Sequence, residues 1–196
     1  MRVDVTVGIQ IPWKTFVSLN VCQRLECLDV CIDHLTAERL GRMCGKGEWH
    51  ALAALGLYCN RVKLGETGLS LYDLRILAEH CPSLTILDIT LETLAKTADD
   101  IQVLRDAVTK DRLQSKTNLR TLHIAPLTSR PDDLSSEAAQ KNTRDAVAVA
   151  RYIYWLFPYI NEVSFPTTCD WFGGIINMLK GFRSIRREEN STENTN

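Results

Sequence analysis

The sequence predicts an α/β fold in which short parallel strands alternate with helices. A strand pattern, apolar-x-x-apolar-x-apolar, occurs five times in chain order. The segments between its copies carry apolar residues at helical spacing. Since one strand–helix unit cannot bury its apolar face alone, the units must stack into an array. We therefore expect an irregular solenoid with a curved parallel sheet and with the helices on its convex side.

The strand pattern indicates a repeated unit. Its five copies are LECLDV (25–30), LAALGL (52–57), LTILDI (84–89), LRTLHI (119–124) and INEVSF (160–165). The segment VDVTV (3–7) alternates in the same way and is a candidate sixth strand. The pattern is typical of the strand of a leucine-rich repeat, and regular repeats of that kind run about 20–29 residues. Here the first positions lie 27, 32, 35 and 41 residues apart, so the array is predicted to be leucine-rich-repeat-like but irregular.

Helices are predicted before, between and after these strands. Their ranges are 12–23, 36–45, 70–81, 97–110, 142–157 and 170–183. Thr36 and Thr97 are suitable N-caps, and Ser70 with Asp73 resembles a capping box. Gly45 is suited to end the helix before it. A strand followed by a helix, repeated in one direction, predicts parallel strands with right-handed crossovers.

The outward positions of the strands separate the solenoid from a doubly wound α/β sheet. A doubly wound sheet is buried on both faces, so its strands read as near-continuous runs of Val, Ile and Leu. The outward positions here are polar or small, namely Asp29, Gly56, Asp88, His123 and Ser164. This pattern favours a sheet with one face in water, and the doubly wound sheet stays as the alternative.

The repeats are predicted to form one domain over residues 1–186, with five to six strand–helix units. Within it, the segment 125–141 is polar, contains two prolines and is expected to be a surface loop. The last residues, 187–196, contain no apolar side chain and predict a disordered tail.

Composition and charge exclude several classes of function. Apolar residues make up 45% and charged residues 24%, as in soluble globular domains. A net charge of −1 gives no long-range attraction for nucleic acid or an anionic membrane. The first residues lack the apolar core of a signal peptide, and the most apolar run, 146–160, is interrupted by Arg151 and Pro158. We therefore expect an intracellular protein, in the cytoplasm or nucleus, that binds neither nucleic acid nor membrane.

No catalytic or metal-binding motif is evident in the sequence. The seven cysteines contain no C-x-x-C pair, and the four histidines form no H-E-x-x-H or H-x-H arrangement. The segment GRMCGKGEW (41–49) lacks both the spacing and the hydroxyl residue of a phosphate-binding loop. We therefore expect reduced thiols, no cofactor, no metal and no enzymatic activity.

The outward side chains of neighbouring strands are candidates for contact with a partner, because they line up across one face of such a sheet. We call this set the polar face; it consists of Asp29, Tyr58, Asp88, Thr90, His123, Glu162 and Ser164. Tyr58 offers a large, stiff surface of the kind that anchors interfaces. The carboxylates make the face mildly acidic, so a basic segment of another protein is the expected partner.

Three segments also resemble a known family. HCPSLTILDI (80–89), NLRTLHI (118–124) and VAVARYIYWLFPYINEVSF (147–165) are similar to the leucine-rich-repeat-like portion of fungal F-box proteins, especially those of mushroom-forming fungi. The resemblance covers roughly residues 20–182. It implies a substrate-receptor role in a cullin-type ubiquitin ligase, in which an N-terminal F-box docks the adaptor and the repeats bind the target. This sequence shows no F-box and opens on a strand, so only the repeat portion carries over.

The leading hypothesis is therefore a protein–protein interaction module, expected to be the target-binding portion of a ubiquitin-ligase substrate receptor. One alternative is a small α/β enzyme of unknown chemistry. Its site would lie at the carboxyl ends of the strands, near Cys31, Cys59, Thr90 and Pro126. The other alternative is a truncated fragment with no function of its own.

Overall fold

The structure, a computed structural model, describes residues 2–4, 10–12, 24–32, 35–44, 49–59, 68–92, 98–110, 115, 117–126, 136–165 and 170–193. The strands are β1 (Arg2–Asp4), β2 (Gln10–Ile11), β3 (Cys27–Ile32), β4 (Ala54–Cys59), β5 (Ile86–Leu91), β6 (Thr121–Pro126) and β7 (Glu162–Ser164). The helices are α1 (Ala37–Cys44), α2 (Leu74–His80), α3 (Ala98–Lys110), α4 (Ser136–Leu156) and α5 (Asp170–Glu193). A short 3₁₀ turn over Leu71–Asp73 leads into α2.

All seven described strands belong to one parallel sheet. The order across it is β1, β3, β4, β5, β6, β7, and β2 also pairs with β3. The first two strands contact β3 one after the other, since Asp4 lies opposite Asp29 and Gln10 lies opposite Cys31. From β3 onward the strands lie side by side in the same order as in the chain. The predicted α/β fold with a parallel sheet is thus confirmed.

The strands begin two residues later than the sequence pattern. The first apolar residue of each copy precedes its strand and is at most 1% exposed: Leu25, Leu52, Leu84, Leu119 and Ile160. In three copies this residue donates its backbone N–H to a carbonyl three residues earlier. These bonds are Leu52 to Trp49, Leu84 to Cys81 and Ile160 to Phe157. The N–H is used to close a turn, so the ladder of the sheet starts only after it.

One face of the sheet is buried and the other is partly exposed. In β3 the residues Leu28, Val30 and Ile32 are fully buried, while those between them are half-buried. The buried strand residues form one hydrophobic core with residues of the helices, such as Leu77 of α2 and Ile153 of α4. This alternation agrees with the polar and apolar positions of the sequence pattern.

Two of the predicted helix starts are confirmed by capping contacts. The Thr36 hydroxyl accepts the backbone N–H of Arg39 at 3.2 Å. The Asp73 carboxylate accepts the backbone N–H of Ser70 at 2.8 Å. The predicted cap Thr97, the predicted stop Gly45 and all but the first residue of the predicted helix 12–23 lie outside the described residues.

The last two helices are longer than the sequence pattern indicates. Helix α4 begins at Ser136 and so takes in 136–141, part of the predicted surface loop. Both prolines of that loop precede Ser136, and Glu, Ala, Gln and Lys are good helix formers. Helix α5 continues to Glu193, into the segment 187–196 whose composition predicts disorder. Just before that segment, the Arg186 guanidinium donates to the Pro158 carbonyl at 2.8 Å.

A buried tyrosine connects the later helices with an earlier turn. Tyr152 of α4 is fully buried, and its hydroxyl donates to the backbone carbonyl of Tyr72 at 2.9 Å. The two rings stack with their centroids 6.3 Å apart. None of the helices in the described ranges is long and apolar enough to cross a membrane.

Candidate functional site

The polar face is built from strand positions that the register of the sheet places side by side. Asp29 lies opposite Gly56, and Gly56 lies opposite Asp88. Asp88 lies opposite His123, which in turn lies opposite Ser164. Since neighbouring strands are about 4.8 Å apart, adjacent side chains in such a row are in contact range. One row of outward residues therefore crosses the sheet from β3 to β7.

His123 contacts both of its neighbours in this row. Its Nδ1 is hydrogen-bonded to the Ser164 hydroxyl oxygen, and its Nε2 lies 3.7 Å from Asp88 Oδ1. The side chains of His123 and Asp88 are 40% and 32% exposed, so a partner can reach both. The Oδ1 atom itself is buried and has no hydrogen-bond partner. A partner's donor would reach this atom only after the side chains that cover it had moved.

Tyr58 joins the row from the next outward position of β4. Its hydroxyl donates to Asp88 Oδ2 over 3.4 Å. Burial, and then the charges of Asp88 and Asp29, raise the pKa of Tyr58 to about 12. The phenol is therefore neutral at physiological pH, and the electrostatic field around it favours positive over negative charge.

Gly56 has no side chain, and groups of neighbouring residues lie where a side chain would begin. A Cβ atom at this position would lie 2.7 Å from Asp29 Oδ1 and 3.1 Å from Cε2 of Tyr58. The Asp29 carboxylate and the Tyr58 ring therefore meet directly above the Gly56 backbone. The sequence pattern identifies Gly56 only as a small outward residue. The signal that it matters is an isolated glycine within a strand, which often marks a close approach of other groups.

The structure brings together five of the seven predicted site residues. Asp29, Tyr58, Asp88, His123 and Ser164 form the connected part of the polar face. The other two do not join it in the expected way. Thr90 is predicted to be available for contact with a partner, but the residue is buried, with only 8% exposed. Glu162 is exposed but lies opposite Thr121, in a different row from Ser164.

Arg105 and Arg151 were not among the predicted contact residues. Both line a groove between α3 and α4, on helices rather than in the strand pattern. An arginine on a helix surface carries no signal by itself, because most such residues are simply solvated.

The described cysteines, Cys27, Cys31, Cys44, Cys59 and Cys81, form no disulfide bond. Cys44 and Cys81 are buried, and a hydrogen bond to Cys81, together with burial, holds the pKa of the Cys44 thiol far above its usual range. Burial and the neighbouring Cys59 also raise the pKa of Cys31. Thiols of this kind are poor nucleophiles and poor metal ligands. In the part of the chain that the structure describes, no group of three His, Cys, Asp or Glu residues could hold a metal ion.

No protein-family model matches this chain, and a search of curated proteins also found no match. The resemblance to fungal F-box proteins therefore stays a prediction. The function has to be inferred from the geometry of the polar face and of the groove.

Proposed function

We propose that this chain is a non-enzymatic protein-binding module whose polar face binds a basic segment of another protein. The observation that carries the proposal is the connected row from Tyr58 through Asp88 and His123 to Ser164. These side chains hold one another in place on rigid strands. Little side-chain freedom is then lost when a partner binds, which favours affinity.

We further propose that the sheet belongs to an irregular, leucine-rich-repeat-like solenoid. The order of β3 to β7 across the sheet is the order in the chain. A doubly wound sheet instead reverses its strand order at a switch point, and it is buried on both faces. The half-buried residues on one face of β3 and the absence of a reversal among the described strands therefore support a solenoid.

The expected ligand is a lysine or arginine side chain in an extended segment. Its cation would lie between the carboxylates of Asp29 and Asp88, beside the face of the Tyr58 ring. Hydrogen bonds to charged groups contribute about 1.5–3 kcal/mol each, and a cation–π contact adds about 0.5–1 kcal/mol at an exposed site. His123 and Ser164 would supply polar contacts to the backbone of the segment.

Affinity capture from fungal extract tests this proposal. The wild-type chain is compared with a Tyr58→Ala/Asp88→Ala double variant, and each captured protein is then purified and its Kd measured. The matched control is Tyr159→Ala/Asp106→Ala, which removes one exposed tyrosine and one exposed aspartate elsewhere. We expect the control to bind as the wild type does and the double variant to bind at least about tenfold more weakly. Retention of every specific partner by the double variant would rule out the polar face.

We also propose that the partner is a substrate of a ubiquitin ligase, and here only the sequence resemblance is the support. The test is to express the full product of the gene and to ask whether it carries an F-box and co-purifies with the ligase adaptor. We expect both. If the gene encodes an F-box but the chain does not bind the adaptor, this part of the proposal is wrong, and the binding role of the polar face is unaffected.

A second candidate function is serine-based acyl transfer, because Asp88, His123 and Ser164 contact one another in the order of an acid, a base and a nucleophile. In this role the Ser164 oxygen would attack an acyl carbon, and His123 would accept the hydroxyl proton. The bond between the acyl carbon and its leaving group would then break, and His123 would return the proton to the leaving group. A fluorophosphonate probe tests it: attack by Ser164 would form a P–O bond and release fluoride. A labelled Ser164 peptide, lost in His123→Gln, would favour the enzyme; an unlabelled chain would exclude it.

A further inference from the structure

A groove of about 420 Å³ lies between helices α3 and α4, and all of its described lining residues belong to these two helices. They are Arg105, Val108, Thr109, Val147, Ala148 and Arg151. The residues from α3 are spaced at i, i+3 and i+4, so they share one side of that helix. The volume falls in the range of clefts that take ligands, about 300–1,000 Å³. None of the polar-face residues contributes to this groove.

Three of the six described lining residues of the groove are apolar. Ala148 is buried, and the side chains of Val108 and Val147 are half-buried. These groups belong to the surface where α3 packs on α4, so the helices hold them in fixed positions. An apolar side chain that covered them would remove further apolar area from water, at roughly 25 cal/mol per Å².

Both cations of the groove are without a counter-ion in the described part of the chain. Arg105 and Arg151 are exposed, and neither guanidinium forms an ion pair with a described residue. The nearest acid in sequence, Asp106, is engaged elsewhere: Lys110 and Gln102 each contact its carboxylate at 2.7 Å. Two like charges at one groove repel each other, and an anion between them would relieve that repulsion.

We propose that this groove is a second binding surface, which takes an acidic segment of a partner protein. An apolar side chain of the segment packs on Val108, Val147 and Ala148, and carboxylates on either side of it pair with Arg105 and Arg151. Arginine suits this role because its planar guanidinium binds a carboxylate in a bidentate manner. The groove selects the opposite charge from the polar face, so this inference does not rest on the function proposed above.

Selection from a random peptide display library tests the proposal on the full chain. We expect the wild type to enrich peptides in which an apolar residue is flanked by Asp or Glu. The Arg105→Gln/Arg151→Gln variant should bind the best such peptide about tenfold more weakly, because two exposed charge pairs are lost. The matched control is Lys110→Gln/Lys180→Gln, which removes two exposed cations outside the groove. This control should leave the affinity unchanged, and its melting temperature should match that of the arginine variant.

Three results would overturn the proposal. The wild type could enrich no acidic motif, it could enrich only apolar peptides whose binding is insensitive to salt, or the arginine variant could bind the acidic peptide as tightly as the wild type does. The same selection also separates the two surfaces. Basic peptides that bind the wild type but not Tyr58→Ala/Asp88→Ala report on the polar face alone. Acidic peptides should bind that variant as tightly as they bind the wild type.

Discussion

The hydroxyl of Tyr58 on β4 donates a hydrogen bond to the carboxylate of Asp88 on β5, with 3.4 Å between the oxygens. The two residues are 30 positions apart in the chain and meet only because their strands are neighbours in the sheet. This contact links the aromatic and the acidic part of the polar face. It also has consequences that can be measured without knowing the partner.

Replacement of Asp88 by Asn is expected to lower the pKa of Tyr58 from about 12 toward its ordinary value of 10.0. The shift should be partial, because burial is the largest cause of the raised pKa and the variant leaves it in place. The measurement is the ultraviolet absorbance of the phenolate, with Tyr58→Phe subtracted to isolate this one side chain. The variant Asp106→Asn, at a surface position, serves as the control. The same Tyr58 pKa in the wild type, Asp88→Asn and Asp106→Asn would contradict the contact.

The raised pKa of Tyr58 also predicts how stability depends on pH. The unfolded chain releases the phenol proton near pH 10, whereas the folded chain holds it to about pH 12. The contribution of Tyr58 to the free energy of unfolding is therefore complete below about pH 10 and is lost as the pH rises through about 12. Urea unfolding across this pH window should show a steeper loss for the wild type than for Tyr58→Phe. Parallel curves would show that Tyr58 titrates normally.

Replacement of Gly56 by Ala should disturb the polar face while leaving the fold intact. The new methyl group would displace the Asp29 carboxylate and the Tyr58 ring, both of which end side chains that can rotate away. We expect partner binding to weaken while the free energy of unfolding changes by less than about 1 kcal/mol. Gly41→Ala is the control: no atom lies within 4 Å of its Cβ position in α1. It should stabilise by about 0.5–1 kcal/mol and bind normally.

The buried residue at the start of each repeat is expected to dominate stability. Leu84 is fully buried just before β5, and Leu84→Ala should cost about 2–5 kcal/mol in urea unfolding. Ile86, two residues later, is 43% exposed on the other face, and Ile86→Ala should cost less than about 1 kcal/mol. Equal costs at the two positions would mean that the strand begins in a different register.

The hydroxyl of Tyr152 is expected to stabilise the packing of α4. Tyr152→Phe keeps the buried ring but removes the hydrogen bond to the Tyr72 carbonyl, which should cost about 0.5–1.5 kcal/mol. Tyr159→Phe, at a site that is 52% exposed, should change the free energy by less than about 0.5 kcal/mol. Thermal unfolding of both variants measures the difference. A loss for Tyr159→Phe as large as that for Tyr152→Phe would contradict this account.

The sequence predicted the strands well and their first residues less well. The apolar pattern located β3 to β7 because burial of one sheet face demands an apolar residue at every second position. The pattern does not show that Leu52, Leu84 and Ile160 donate their N–H groups to a turn, so it predicts each strand two residues too early. The sequence does not predict the start of α4, because a polar segment with two prolines is typical of a loop. The helix that follows also has no strong apolar stripe at its beginning.

The sequence predicts which way the side chains of the candidate site face, but not which of them contact each other. The alternation of the strands predicted that Asp29, Asp88 and His123 face the same way, and the register confirms it. It could not show that Thr90 is buried, because burial of an outward residue depends on what the rest of the chain places above it. It also could not find Arg105 and Arg151, which line one groove only because α3 packs on α4.

By itself, the sequence determined the alternation of parallel strands and helices, and it determined which side chains of each strand point inward. These properties follow from local periodicity and from the need to bury apolar area. Only the tertiary structure decided that Tyr58 contacts Asp88, that His123 lies between Asp88 and Ser164, and that two arginines share one groove. The reason is that these pairs of residues lie 30 to 46 positions apart in the chain, from Tyr58–Asp88 to Arg105–Arg151. The register of the sheet and the packing of the helices set the distance between the members of each pair.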